Sequence, residues 1–175
     1  MAAARGVGTD SEEVARAVAL RLLNHSARSR AQLAEAMAAK DVPSEVAEAV
    51  LDRFTEVGLI DDDEYARMLV RTRHAERGLS RRAIGVELRR RGIDDEVAAS
   101  ALDEVDDAQE AQAARALVRR RLAATRGLDP QVRARRTFAA LGRKGYSPGL
   151  VSQLVRDELA AEGAELEDED LPAVD

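Results

Sequence analysis

Residues 80–105 read SRRAIGVELRRRGIDDEVAASALDEV, and this pattern of apolar and charged residues occurs three times in the chain. The copy at residues 29–54, SRAQLAEAMAAKDVPSEVAEAVLDRF, begins 51 residues earlier. The copy at residues 133–158, RARRTFAALGRKGYSPGLVSQLVRDE, begins 53 residues later. Each copy contains an apolar stripe at helical spacing, a turn and a second stripe. The aligned positions are Leu33, Ile84 and Thr137; Met37, Leu88 and Leu141; Val42, Ile93 and Tyr146; and Val46, Val97 and Leu150.

A repeat of about 50 residues predicts an array in which each unit buries its apolar face against its neighbour. The expected fold is all-α, an elongated tandem array of three three-helix repeats that resemble helix-turn-helix units. No run of alternating β-branched residues predicts a strand. Arrays of this kind present long surfaces to partners, and they seldom build a single catalytic cleft.

The composition narrows the class of protein further. Aromatic residues make up 2% of the 175 residues, and cysteine and tryptophan are absent. The core must therefore consist of Ala, Leu, Val and Ile, and the lack of cysteine excludes disulfides and thiolate metal sites. The N-terminal residues lack the apolar core of a signal peptide, and no apolar stretch reaches the roughly 20 residues that span a bilayer. A cytoplasmic location is expected.

Capping residues, glycines and prolines divide the chain into nine predicted helices in three modules. The modules are expected at residues 11–57, 61–105 and 107–160, and the segments 1–9 and 161–175 are expected to be disordered. Residues 160–175 carry seven acidic groups and no basic one. Two interpretations of this acidic tail stay open: it competes with phosphate for arginine side chains, or it only aids solubility.

Several helix ends carry recognisable signals. A Ser or Asp followed three residues later by Glu or Gln forms a capping box, and glycine ends a helix at positive φ. Helical spacing places Val14, Val18, Leu22 and Leu23 on the inner face of the first helix. The predicted N-caps are Asp10 or Ser11, Ser29, Asp61, Asp94 and Ser147, and the glycines that end helices are Gly58, Gly92 and Gly145.

Charge is strongly segregated, although the net charge is −6. Residues 107–159 carry 11 basic and 5 acidic groups, and residues 67–91 carry nine arginines against two glutamates. Arginine forms paired hydrogen bonds to phosphate and carboxylate, so two arginine groups are candidates for contact with nucleic acid or an acidic protein surface. The first group contains Arg71, Arg73, Arg77, Arg81, Arg82, Arg89, Arg90 and Arg91. The second group contains Arg119, Arg120, Arg121, Arg126, Arg133, Arg135, Arg136, Arg143 and Lys144.

The competing interpretation of these groups is a solvated helical face. Consecutive residues on a helix are about 100° apart, so three adjacent arginines cannot all face one ligand. Because no aromatic residues lie between the arginines, any contact with nucleic acid should be with its backbone and independent of base sequence. The third helix of each module begins with few polar residues able to read bases, which disfavours sequence-specific DNA recognition.

Residues that could support catalysis or bind metal are few. Neither His25 nor His74 has a partner at metal-ligand spacing, and the phosphate-loop motif GxxxxGK[ST] is absent. Asp61, Asp62 and Asp63 are interpreted as acids at a helix start, where the helix dipole favours them. The sequence therefore predicts no enzyme activity, no metal and no cofactor.

The segment Gly58–Arg73, GLIDDDEYARMLVRTR, resembles the signature of the RecX regulatory proteins of bacteria. Three shorter motifs agree in their order: SRAQL at residues 29–33, RGI at residues 91–93 and RKGY at residues 143–146. The resemblance covers about residues 11–160. Where the family often has a basic residue and glycine before the third helix, this chain has Lys40-Asp41-Val42.

The resemblance implies a protein that binds the RecA recombinase on its DNA filament and inhibits filament growth, ATP hydrolysis and strand exchange. Its processes would be recombination, DNA repair and the SOS response. A monomer that does not bind a membrane is expected. Single- or double-stranded DNA is a further possible partner, bound through contacts to the DNA backbone. Composition and spacing alone reach only an elongated helical adaptor. A sequence-independent nucleic-acid-binding repeat protein and a structural adaptor without nucleic-acid contact remain as alternatives.

Overall fold

The computed structural model describes the backbone of residues 3–163 and, within that range, the side chains from residue 10 onward. These residues form nine α-helices and no strand, which confirms the predicted all-α array of three three-helix repeats. The helices are α1 (Ala3–Leu23), α2 (Arg30–Ala38), α3 (Ser44–Glu56), α4 (Asp62–Arg77), α5 (Arg81–Arg90), α6 (Asp95–Leu102), α7 (Asp107–Ala124), α8 (Pro130–Arg143) and α9 (Pro148–Ala161).

The helices belong to two compact units. One unit contains Met1–Leu69 and Glu87–Ala101, and the other contains Val70–Val86 and Leu102–Asp175. The division passes through α4 and α5, so the second repeat contributes residues to both units. In the first unit, α1, α2 and α3 pack pairwise around an apolar core, and α7, α8 and α9 do the same in the second unit.

The N-terminal helix begins earlier than the sequence predicted. It starts at Ala3 and not at the capping signal of Asp10 or Ser11, so residues 3–9 are helical where disorder was expected. Ala3 and Ala4 favour this extension, whereas Gly6 and Gly8 disfavour it, so helix propensity alone does not explain the early start. Residues 1, 2 and 164–175, which include most of the acidic tail, lie outside the described residues.

The buried face of α1 also differs from the prediction. Ala15 and Ala19 are completely buried in the core, whereas Val14 is 43% exposed. Val18, Leu22 and Leu23 are partly buried against that core, as predicted. Small alanine side chains let α2 and α3 approach α1 closely, and a pattern that weighs residues by size alone misses this face.

Most of the predicted helix ends are confirmed. Ser29 and Gln32 form the reciprocal capping box of α2, and α7 has a second such box, at Asp106 and Gln109, that the sequence analysis missed. The other confirmed N-cap bonds run from the Glu64 amide to Asp61, from the Glu96 amide to Asp94 and from the Leu150 amide to Ser147. The predicted glycines Gly58, Gly92 and Gly145 have φ of 73°, 72° and 89°.

In the first unit, the first turn of α2 contacts residues of the second repeat. The buried Ser29 Oγ donates a hydrogen bond to the Arg91 carbonyl at 2.6 Å, and the Arg30 amide donates to Asp62 Oδ1 at 2.9 Å. The first amides of a helix lack partners within it, so Asp62 satisfies one that would otherwise be unpaired. Burial raises the pKa of Asp62 against the opposing effect of the Arg30 amide.

The second unit has a corresponding contact, again made by a serine and the arginine after it. The Ser80 amide donates to the Lys144 carbonyl at 3.0 Å, and the Arg81 amide donates to Glu110 Oε1 at 2.8 Å. Ser80 is buried, as Ser29 is. A serine and the arginine after it therefore join each of the first two repeats to the next, and we call this contact the inter-repeat junction.

Gly92 and Gly145 permit the close approach at the two junctions. A Cβ on Gly92 would overlap the Cβ of Ala31, and a Cβ on Gly145 would lie 2.5 Å from Ser80 Oγ. In the first repeat, Asp41 occupies the aligned position at a φ of 57° with an exposed side chain. Positive φ alone therefore does not require glycine at this position. Glycine is required where the preceding repeat approaches the backbone, and Asp41 is tolerated because no described repeat precedes the first.

We expect Gly92→Ala to lower the free energy of unfolding by about 3 kcal/mol, because overpacking at Ala31 adds to the cost of a side chain at positive φ. The matched control is Gly58→Ala. Gly58 has a similar φ of 73° but nothing within 4 Å of its Cβ position, so its loss should be about 1 kcal/mol. Urea denaturation measures both values.

A second substitution separates overpacking from backbone strain. Adding Ala31→Gly to the Gly92→Ala variant removes the overlapping methyl group, and it should recover most of the difference between the two glycine variants. Equal losses for Gly92→Ala and Gly58→Ala, with no recovery in the double variant, would show that the junction is not tightly packed.

Candidate partner-binding surface

Arg133 was predicted to face a partner, but the structure buries it. Its side chain is 8% exposed, and Nη2 donates to the Leu122 carbonyl at 3.0 Å and to Glu162 Oε2 at 2.7 Å. It occupies the position that Ser29 and Ser80 hold in the other repeats. Since no described repeat follows the third, this position makes no inter-repeat junction. Arg133 instead contacts Leu122 and Glu162 of its own repeat.

Arg119 was also predicted to bind a partner, and in the structure its exposed side chain connects α7 to α9. Its Nε donates to Glu158 Oε2 at 2.8 Å, and Arg115 Nη1 donates to Glu158 Oε1 at 3.3 Å. The Arg119 hydrogen bond lowers the pKa of Glu158, against a smaller effect of burial. These charges pair within the third repeat.

Arg81 and Arg91 are likewise held by neighbouring acids. Arg81 Nη1 lies 2.8 Å from Asp107 Oδ1 in the second unit. In the first unit, Arg91 Nη2 lies 2.7 Å from Glu87 Oε1, and its Nη1 donates to the Tyr65 hydroxyl at 2.5 Å. Both side chains are about 30% exposed or less, so their first role is to hold helices together.

Three other predicted residues have contacts inside the second unit, and a fourth has an interaction within the chain. Arg71 Nη1 lies 3.9 Å from Glu104 Oε2, and Arg82 Nε donates to the Gly145 carbonyl at 3.2 Å. Lys144 Nζ donates to the Arg77 carbonyl. Arg73 is half-buried and also has an interaction within the chain.

The remaining predicted arginines are exposed, and their guanidinium groups form no ion pair or hydrogen bond with any described residue. This set is the one available to a partner without breaking a contact of the fold. In the first unit it contains Arg89 and Arg90. In the second unit it contains Arg77, Arg120, Arg121, Arg135, Arg136 and Arg143, and Arg126 has the same character.

Three members of this exposed set surround one cleft between α7 and α8. Arg121 lies on its α7 side, and Arg136 and Arg143 lie on its α8 side. The cleft has a volume of about 460 Å³, and its other lining residues are Ala124, Thr125, Thr137, Ala139 and Ala140. No acidic residue lines it, so the three positive charges are not neutralised locally.

The positive charge extends beyond this cleft to the end of α8. Burial lowers the pKa of Lys144, and the charges of Arg121 and Arg120 lower it further. The part of this shift that comes from the two arginine charges reflects their repulsion of the ammonium group. An anion at this surface would relieve that repulsion.

Thr137 is a cleft residue that the sequence analysis did not single out. Its side chain is 1% exposed, and its Oγ1 has no hydrogen-bond partner among the described residues. The available signal was its position in the repeat, where the first two copies have Leu33 and Ile84. A polar residue at an apolar stripe position indicates a local requirement that the other copies lack.

The acidic residues at the start of α4 are structural. Asp61 caps the helix by accepting from the Glu64 amide at 2.9 Å, as predicted, while Asp62 takes part in the inter-repeat junction. Among the described residues, no group of three His, Cys, Asp or Glu side chains could hold a metal ion. None of the described helices combines the length and apolar character required to cross a membrane.

These features define a tandem three-helix-repeat protein with an arginine-rich surface. Models of the first, second and third three-helix domains of RecX match residues 15–54, 61–102 and 107–155. A regulatory protein RecX of Thermobifida fusca is 54% identical over 153 residues, which cover 87% of this chain and 83% of the relative. One of Streptomyces coelicolor is 48% identical over 158 residues, covering 90% and 84%. The chain belongs to the RecX family of regulatory proteins.

Solved structures show the same fold. The crystal structure of RecX from Lactobacillus salivarius matches 87% of this chain and 99% of its own, with a TM-score of 0.76 and 21% identity. A second crystal structure of a regulatory protein RecX matches 86% of this chain and 76% of its own, with a TM-score of 0.75 and 24% identity. The family models and the relatives of Thermobifida fusca and Streptomyces coelicolor confirm the resemblance inferred from Gly58–Arg73.

If Arg119 is structural, Arg119→Gln should lower the free energy of unfolding at pH 7, and it should lower it by less at about pH 3. Glu158 has a lowered pKa in the folded chain, so its contribution is present above its unfolded pKa and is lost as the pH falls through the folded value. Urea denaturation at the two pH values tests this. An equal loss at both would mean that the ion pair does not stabilise the repeat.

Proposed function

We propose that this protein binds the RecA recombinase on its DNA filament and inhibits filament growth, RecA ATP hydrolysis and strand exchange. Membership of the RecX family over all three repeats carries the proposal, together with the role that the resemblance implies. The action would be by occupancy and without catalysis by this chain. It would take place in the cytoplasm, where a RecA filament forms on DNA.

The exposed arginines support this proposal. They lie in the second and third repeats. None of them has to break an ion pair with a described residue in order to bind an acidic or phosphate group. A filament presents the same surface many times, so weak contacts from successive repeats add through effective concentration. Several modest contacts can therefore give tight binding to the filament and weak binding to free RecA.

A sequence-independent nucleic-acid binder is the second candidate function. The arginine-lined cleft between α7 and α8 favours it, because unpaired guanidinium groups bind phosphate through paired hydrogen bonds. In that case the protein would compete with RecA for DNA and would bind bare DNA and the RecA filament equally well.

The protein should inhibit ATP hydrolysis by RecA on single-stranded DNA at ratios well below one per RecA, and it should hydrolyse no ATP alone. A coupled ATPase assay measures both, and binding to the filament, to bare DNA and to free RecA is measured beside it. RecA ATPase that stays unchanged through the titration would contradict the proposal. Inhibition that appears only at ratios where bare DNA is saturated would favour the second candidate.

Two pairs of exposed arginines test the surface. We expect Arg89→Gln with Arg90→Gln, or Arg120→Gln with Arg121→Gln, to weaken inhibition at least about tenfold, with helicity unchanged, because surface changes cost under about 0.5 kcal/mol. The matched control is Arg16→Gln with Arg53→Gln. These two arginines of the first repeat lie in exposed ion pairs, and their loss removes the same charge. Full inhibition by both test variants would show that these arginines are only a solvated face.

A further inference from the structure

The cleft between α7 and α8 has the composition of an anion site. Arg121, Arg136 and Arg143 contribute three guanidinium groups, and none of them has an ion pair with a described residue. Three alanines line the same cleft, so its walls leave space at the level of the backbone. A cluster of like charges with no local acid is unfavourable unless a ligand neutralises it.

The chemistry of these groups favours phosphate over carboxylate. A phosphodiester carries charged oxygens that can accept from more than one guanidinium at once, and it is small enough for a cleft with alanine walls. Arg120 and Lys144 lie beside the cleft and continue the positive surface, as a chain of regularly spaced phosphates requires. No aromatic residue lines the cleft, so it offers no base-stacking platform.

We propose that the cleft between α7 and α8 binds a backbone phosphate of nucleic acid through Arg121, Arg136 and Arg143. This names the residues behind the nucleic-acid contact of the second candidate function, on which it rests, whereas inhibition of RecA through protein contacts alone requires no phosphate site on this chain. The third repeat would then hold DNA directly, independently of base sequence, while other surfaces contact the recombinase.

The test uses the full chain without RecA and a fluorescent 20-nucleotide oligothymidine at low salt. The site variant is Arg136→Gln with Arg143→Gln. The control variant is Arg126→Gln with Arg135→Gln, which removes the same charge from the same repeat outside the cleft. We expect a loss of at least about tenfold in affinity for the site variant and at most about threefold for the control, measured by fluorescence anisotropy.

The salt dependence provides a second readout. Each phosphate contact to a single strand contributes about 0.7 to the slope of log affinity against log salt, so the site variant should lower the slope by about 1 and the control by clearly less. Equal losses of affinity and slope in both variants would overturn the proposal, because the cleft would then contribute no more to binding than positive charge elsewhere on the repeat.

Poly-glutamate and RecA separate the possible ligands. Poly-glutamate and an unlabelled oligonucleotide are compared as competitors of the labelled oligothymidine. If poly-glutamate displaces it equally well, the result contradicts a phosphate site and favours an acidic protein ligand. A site variant that binds DNA normally but no longer inhibits RecA ATPase would overturn the phosphate assignment and leave the proposed function standing. A site variant that loses DNA binding but still inhibits RecA would support the phosphate site as a separate contact.

Discussion

The inter-repeat junction is the interaction on which the rest of the structure depends. In both units, a buried serine at the start of the second helix of one repeat meets the glycine-ended second helix of the next repeat. A three-helix unit of about 50 residues buries too little apolar surface to be stable alone, so the contact with its neighbour is required. The junction explains why serine, arginine and glycine recur at aligned positions and why Asp41 and Arg133 replace glycine and serine at the two ends.

The junction also determines which arginines are available for function. Arg30 and Arg81 donate amides across it, Arg91 supplies a carbonyl, and Arg133 closes the last repeat. Away from the junction, Arg119 is paired with Glu158, whereas the exposed Arg120 and Arg121 form no ion pair with a described residue. Two kinds of arginine therefore share one sequence pattern: those that hold helices together and those that are free to meet an anion.

The sequence predicted the repeats, the helix number and most caps, because local signals such as Ser29 with Gln32 act within a few residues. It did not predict the early start of α1 or the burial of Ala15 and Ala19, since alanine carries no strong pattern. It also could not separate Arg119 from Arg120, because the partner of Arg119 is Glu158, 39 residues away in sequence. Arg121, Arg136 and Arg143 meet at one cleft only because α7 and α8 pack side by side, which no local pattern contains.

Native-state hydrogen exchange followed by NMR tests the junction most directly. The amides of Arg30, Ser80 and Arg81 donate to acceptors in the next repeat, and they should exchange only by opening of the junction, with protection near that of buried helical amides. The first amide of α6, at the exposed Asp95, should exchange much faster. Exchange of all four amides at the same fast rate would contradict the account, because the repeats would then not be joined through these contacts.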